Sequence, residues 1–527
     1  MSGKGCDVDS GDLSGQESAQ EPAPAGVRAA VVVQASRGKT EAGKTGTADR
    51  SRVMTGGVKG GRKADLQGSR PSEEPIPGVP ATDKQGEEDL WQRYGAERGV
   101  WSEKMLGALE GGMRENAWFS LIDKVYAERT LQLAWAKVRR NAGGCGVDGI
   151  TVRRFGKDSQ IRLLGVKEHL KQGDYRPKPV KRVLIDKPGG GKRPLGIPTV
   201  RDRVVQAALK MVIEPIFERE FAPQSYGFRP GRDCKSALRR VEELLKGGLT
   251  HVVDVDIKGY FDCIPHDKLM AKVRERIADG RVLGLIEAFL KQDVMVQTGR
   301  EASEMEEATH EGTPQGGVIS PLLANIYLNP LDWLMRDHGF EMVRYADDMV
   351  VLCESEDKAR EAMQLLRQWM ERMELELHPE KTKVTDMGQP KGHFDFLGYR
   401  FWRGKNDGRL KRLIRPKSKQ KFRASIRPLT KRCNGHSMEA IAARLEPILR
   451  GFYNYFKHAH PWALQELDGW VRGRLRSIHR KRKRRKGRAR GKDHQRYPDR
   501  YFHDLGLLSL EQARLIETTS LLRGATC

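Results

Sequence analysis

From Val253 to Ile257 apolar and acidic residues alternate one for one, and this pattern limits the fold more than any other stretch. In an extended strand Val253, Val255 and Ile257 fall on one face, and Asp254 and Asp256 on the other. A strand that buries one face and aims carboxylates from the other belongs inside a sheet with an open end. A second β signal lies in Val343-Arg344-Tyr345 and in Met349 to Cys353, two short apolar strands joined through Ala346, Asp347 and Asp348. This predicts a hairpin with acids at its tip. Asp256 and Asp347 are distant in the chain, so only a fold that makes these strands neighbours unites them. Two hard divalent cations need carboxylate oxygens converging from separate backbone segments in this way. An Asp-Asp pair taken alone is more often a plain turn.

The rest of the chain sets the context. Its 527 residues suggest three or four domains. With 95 Lys and Arg against 70 Asp and Glu, the net charge of +25 calls for a polyanionic partner, nucleic acid first and an anionic membrane surface second. No apolar run reaches the roughly 20 residues of a spanning helix, which excludes an integral membrane protein. Seven scattered cysteines without a Cys-x-x-Cys pair give neither a disulfide framework nor a zinc module. With no export or organelle signal readable, a reducing, cytoplasmic location is expected.

Residues 1–88 lack Phe, Trp and Tyr and are expected to form a disordered leader, with folded structure starting at about Trp118. Around Lys187 to Pro198 a Gly-rich turn between two strands predicts a mobile hairpin, followed by a helix bearing Val205, Leu209, Val212 and Ile216. Ala359, Met363, Leu366, Met370 and Met373 predict an amphipathic helix whose N-terminus Ser355 suits. A last hairpin turns near Gly398. The expected class is α+β, an antiparallel sheet with helices on one face. Beyond Lys411 two helical patterns, through Leu445 and through Leu467, lead into Arg476 to Lys492, a run with 11 Lys or Arg and no acid. A charge run of this kind is usually just solvated.

In order, the chain carries DIKGYFD (Asp256 to Asp262), GTPQGGVISPLLANIYL (Gly312 to Leu328), RYADD (Arg344 to Asp348), EKTKV (Glu380 to Val384) and FDFLGY (Phe394 to Tyr399). Together these resemble the blocks of reverse transcriptases. Ala134 to Thr151, Arg193 to Leu209 and YGFRPGRD (Tyr226 to Asp233) resemble the group II intron-encoded branch, and LRGFYNYF (Leu449 to Phe456) its maturase, or X, domain. The resemblance spans about Trp118 to Arg485.

It implies a right-hand polymerase, with fingers and palm over 118–405, a helical thumb and X domain over 406–490, and a short segment over 491–527. Two Mg²⁺ ions would be held by Asp256 and Asp347, assisted by the Ile257 carbonyl, with Asp348 on the primer side. Phe261 would reject a 2′-hydroxyl, although a core aromatic explains it equally well. Gln315 would line the incoming nucleotide, and Lys187 and Arg193 would close on its triphosphate. Ala346 matches the retroelement form of the motif, which favours DNA synthesis. Arg480, Lys481, Arg482, Lys483, Arg484 and Arg485 would contact nucleic acid.

The implied partners are intron RNA, as template and splicing substrate, a DNA primer or target, and dNTPs. The implied activities are RNA-directed DNA synthesis, splicing assistance and intron mobility. The longest family members end in a Cys-rich HNH endonuclease, whereas only Cys527 follows Cys433 here, so target-strand cleavage is not expected. The rival readings are a splicing-only RNA-binding protein with a decayed site and a reverse transcriptase serving host defence without an intron. The intact acids argue against the first.

Overall fold

A computed structural model describes residues 90–112, 117–186, 191–297, 303–306, 311–390, 392–404, 407–487 and 489–524. The expected leader and Lys187 lie outside the described residues. Folded structure begins well before Trp118. Ser102 caps the Glu103–Gly111 helix, which buries Leu106 and Leu109. Trp101 meets Trp118 edge-on at 5.3 Å and donates from Nε1 to the Met211 carbonyl. This segment is too short and too polar for its periodicity to stand out.

Four strands make the central sheet, β3 (His251–Val255), β6 (Glu341–Tyr345), β7 (Asp348–Cys353) and β8 (Lys383–Asp386), in the order β6-β7-β3-β8 and antiparallel throughout. Helices cover both of its faces, not one. Val253, Val255, Met349 and Val351 pack under the Ser320–Asp337 and Glu356–Arg372 helices, the latter capped by Ser355. Val252, Val343, Val350 and Leu352 pack on the opposite side against Ala237, Leu238 and Val241 of the Cys234–Lys246 helix. A strand such as β7, apolar at nearly every position, is buried on both sides, and strict alternation cannot reveal that.

A second sheet joins β1 (Val180–Asp186), β2 (Lys192–Ile197), β4 (Val294–Gln297) and β5 (Ser303–Glu306) in the order β2-β1-β4-β5. Its β1–β2 hairpin pairs antiparallel from Lys181 with Ile197 to Asp186 with Lys192, and leads into the Val200–Glu218 helix. The third sheet, β9 (His393–Phe396), β10 (Tyr399–Arg403) and β11 (Leu410–Ile414), ends where the C-terminal helices begin. Among these, Met438–Phe456 and Pro461–Arg482 share the hydrophobic cluster that β9 and β10 join. Phe502, Leu507 and Leu510 extend that cluster. Asp468 accepts from Leu510 N, Glu511 N and Ser509 Oγ, capping the Leu510–Gly524 helix.

Candidate active site

At the centre of the sheet β3 pairs with β7, Val255 opposite Met349. One further step in that register puts Asp256 opposite Asp348. Tyr345 pairs with Asp348, leaving Ala346 and Asp347 as a two-residue turn. The expected tip is therefore present, and it stands beside the end of β3. Tyr345 leans on Phe228, with ring centroids 6.2 Å apart.

The acids affect one another. Burial raises the Asp347 carboxyl above its ordinary range and Asp256 adds to the rise, while Arg193 and Arg344 oppose it. Asp348 is pushed up to about 6, by desolvation first and then by Asp347, Asp256 and Asp254, against the pull of Arg415. The residue as a whole is nonetheless exposed to solvent. Asp254 also rises to about 6, through burial and the Asp256 and Asp395 charges, against Lys383.

Carboxylates pushed toward protonation by burial and mutual repulsion are stabilised as anions by a nearby cation. Lys381 supplies one, its Nζ lying 3.1 and 3.3 Å from the two Asp256 oxygens. Next to it, Thr382 Oγ1 accepts from the Asp256 amide. Among the described residues no three His, Cys, Asp or Glu side chains form a ready-made metal cluster. The donors nevertheless suit hard divalent cations. They are oxygen only, they come from two neighbouring strands, and the ammonium on Asp256 marks where positive charge settles.

The fingers hairpin meets this site through one polar chain. Arg193 Nε donates to Gln315 Oε1 at 2.7 Å, and Gln315 Nε2 donates to both Asp262 oxygens at 2.8 Å. Gly196 N donates to the Gln315 carbonyl at 2.7 Å, and buried Gln206 accepts from Val318 N beyond the turn. Phe261 is half-buried, meets Tyr260 edge-on at 5.4 Å, and accepts at its carbonyl from Thr313 N. Arg193 and Gln315 are thus tied to the segment that carries Phe261 and Asp262, and Arg193 lies close enough to Asp347 to act on its carboxyl. Ile257 has its side chain in the main core.

Comparison with known families follows this division of the chain. Residues 185–401 match the model described as reverse transcriptase (RNA-dependent DNA polymerase), and residues 419–497 match the group II intron, maturase-specific domain. Protein YkfC of Escherichia coli K12 is 33% identical over 326 residues, covering 54% of this chain and 83% of that protein. The chain belongs to the group II intron reverse transcriptase/maturase family. The group II intron-encoded protein LtrA of Lactococcus lactis is 42% identical over 175 residues, 33% of this chain and 28% of LtrA. An uncharacterised 91 kDa protein in the cob intron of Schizosaccharomyces pombe is 44% identical over 165 residues, 31% of this chain and 20% of that protein. The alignments with these last two therefore span less than a third of either relative. Divalent metal ions serve this family.

In the reverse transcriptase three residues near the acids carried no assigned role in the sequence. Lys381 sits in the EKTKV block but meets Asp256 only across strands. Arg415, at the start of the Pro416–Ile426 helix, lowers the Asp348 carboxyl from the thumb side. Arg344 lies buried beneath the turn, bonded to Asp332.

The maturase domain divides the basic run in two. Arg476 is buried and bonded to Asp499 and the Tyr497 carbonyl, Arg480 pairs with Asp493 at 2.9 Å, and Arg482 donates to the His436 carbonyl. These acids and carbonyls come from outside the run, so composition could not reveal them. Lys481, Lys483, Arg484 and Arg485 are exposed, with Lys483 Nζ 5.6 Å from the centre of the Tyr497 ring. No helix among the described residues is long and apolar enough to cross a membrane.

Proposed function

We propose that this reverse transcriptase extends a DNA primer along its intron RNA with dNTPs, and that Asp256, Asp347 and Asp348, with the Ile257 carbonyl, hold two Mg²⁺ ions. The observation that carries this reading is the delivery of Asp256 and the Ala346–Asp347 turn to the same end of one sheet by neighbouring strands. The ions would supply a deprotonated 3′-hydroxyl and charge stabilisation on the leaving pyrophosphate. The protein's own contribution is orientation. Gln315, held between Arg193 and Asp262, presents a fixed amide to the nucleotide, and Arg193 and Lys187 offer cations to its phosphates.

The exposed lysines and arginines of 481–485 grip intron RNA along its phosphates, a contact that weakens with salt. The same protein assists splicing and supports mobility by target-primed cDNA synthesis, acting in the cytoplasm. Phe261 stands against the sugar and excludes ribonucleotides. Phe261→Ala is expected to keep dNTP incorporation within about tenfold while raising ribonucleotide incorporation by one to two orders of magnitude, about 1–3 kcal/mol of discrimination. Single-nucleotide extension on an RNA template measures both. Unchanged selectivity would return Phe261 to the core alone.

A further inference from the structure

Among the described residues Arg344 is the largest fully buried side chain, and it lies under the turn that carries Asp347. Two arms of its guanidinium satisfy a counter-charge: Nε donates to Asp332 Oδ1 at 2.7 Å, and Nη2 donates to Oδ2. The third arm, Nη1, donates to Asn325 Oδ1 at 2.9 Å and to the Ala346 carbonyl at 3.0 Å. Asn325 in turn donates to the Gly227 carbonyl at 2.8 Å. Gly227 presses so closely on the turn that an added Cβ would lie 2.3 Å from Ala346 N.

Ala346 has φ of 58°, a left-handed conformation that disfavours a residue with a Cβ by about 1–2 kcal/mol. Such a turn persists only when its surroundings over-determine it. The guanidinium grips it from below and the Gly227 backbone from the side. A buried ion pair kept for stability alone is often replaceable by apolar side chains of equal volume. An apolar pair could not hold the Ala346 carbonyl, and the peptide plane between Ala346 and Asp347 sets the direction in which Asp347 leaves the backbone.

We propose that Arg344 is a positioning residue: through the Ala346 carbonyl it fixes the backbone from which Asp347 reaches the divalent ions, with Asp332 neutralising it and Asn325 holding its third arm in place. This inference rests on the polymerase reading of the site. The sequence gives no hint of it, because a lone arginine within an apolar strand has no period to betray its partners.

The test compares wild type with Arg344→Lys and Asn325→Leu. Lysine keeps the charge opposite Asp332, but one ammonium cannot reproduce the planar fork. Leucine leaves the ion pair and nearly the same volume in place, while removing one of the two acceptors of Nη1 and the amide that holds the Gly227 carbonyl, so that only the Ala346 carbonyl restrains the third arm. Mn²⁺ binding to the protein without nucleic acid, followed by electron paramagnetic resonance, is read beside kcat, the dNTP KM, RNA affinity and Tm. Arg344→Lys is expected to weaken Mn²⁺ binding by about tenfold or more, in line with the loss of groups that orient metal ligands. Its kcat should fall while the dNTP KM and RNA affinity stay within about twofold, and Asn325→Leu should shift Mn²⁺ binding in the same direction by less.

Unchanged Mn²⁺ affinity in a folded Arg344→Lys protein, or a kcat that falls only with the folded fraction, would overturn the proposal. If Arg344→Lys does not fold, Asn325→Leu decides, and unaltered Mn²⁺ binding there rejects it. A wild type that binds Mn²⁺ yet makes no cDNA would count against the polymerase reading. The Mn²⁺ comparison would still decide the role of Arg344.

Discussion

At Gly316 two backbones approach closer than any side chain permits. Its φ is 124°, and an added Cβ would lie 2.3 Å from the Gly196 carbonyl oxygen and 3.2 Å from Leu195. Either fact alone favours glycine, and together they make the turn holding Gln315 a rigid joint between β2 and the palm. Gly316→Ala is expected to push the two apart, and a displacement of about 1 Å at a site of this kind lowers turnover by about 100-fold. Steady-state primer extension, with RNA affinity as the control, measures this, and a loss below threefold would contradict the joint. At the same scale the sequence makes the acids legible and their keepers illegible. Asp256 declares itself through strand alternation, and Asp347 through its place between two apolar runs. Arg344 and Lys381 acquire meaning only from partners on other strands and helices.

The β9–β10 hairpin shows why the FDFLGY block has its composition. Leu397 and Gly398 turn the chain with φ of 45° and 82°, and no Cβ stands between Gly398 and the Tyr455 and Phe456 rings. Tyr399 lies 5.0 Å from the Phe456 ring and donates to the Tyr455 carbonyl, while Tyr455 donates to the Leu397 carbonyl. The LRGFYNYF block of the maturase domain is thus the surface on which the hairpin docks, which links two segments read separately from the sequence. Phe456→Ala is expected to remove about 3–5 kcal/mol from this contact. Hydrogen exchange at β9 and β10 would report the loss, and protection unchanged to within about 1 kcal/mol would show the docking to be incidental. Helices such as Glu356–Arg372 were readable because one apolar stripe and one cap suffice to define them. The second covered face of the central sheet was not, since the Cys234–Lys246 helix reaches it only through tertiary packing.

Over the whole molecule the net charge is +25, whereas the end of the central sheet brings Asp256, Asp347 and Asp348 together. That contrast suits a protein that holds a polyanion along its surface and gathers carboxylates at the site where divalent cations would bind. Part of the basic run is spent on internal ion pairs, so composition overstates the charge free for RNA, while the exposed residues at 481 and 483–485 keep a positive patch on the maturase domain. On the proposed reading the RNA grip of 481–485 and the chemistry of the acids occupy different parts of the chain and should separate on mutation. The direct test is primer extension on an RNA template by wild type and Asp347→Asn, with intron RNA binding measured on the same preparations. The account predicts loss of at least about 1,000-fold in cDNA synthesis, the scale of removing an electrostatic element from a transition state, with RNA affinity unchanged. Equal cDNA from the two proteins would mean that the acids at the end of the sheet are not where the chemistry happens.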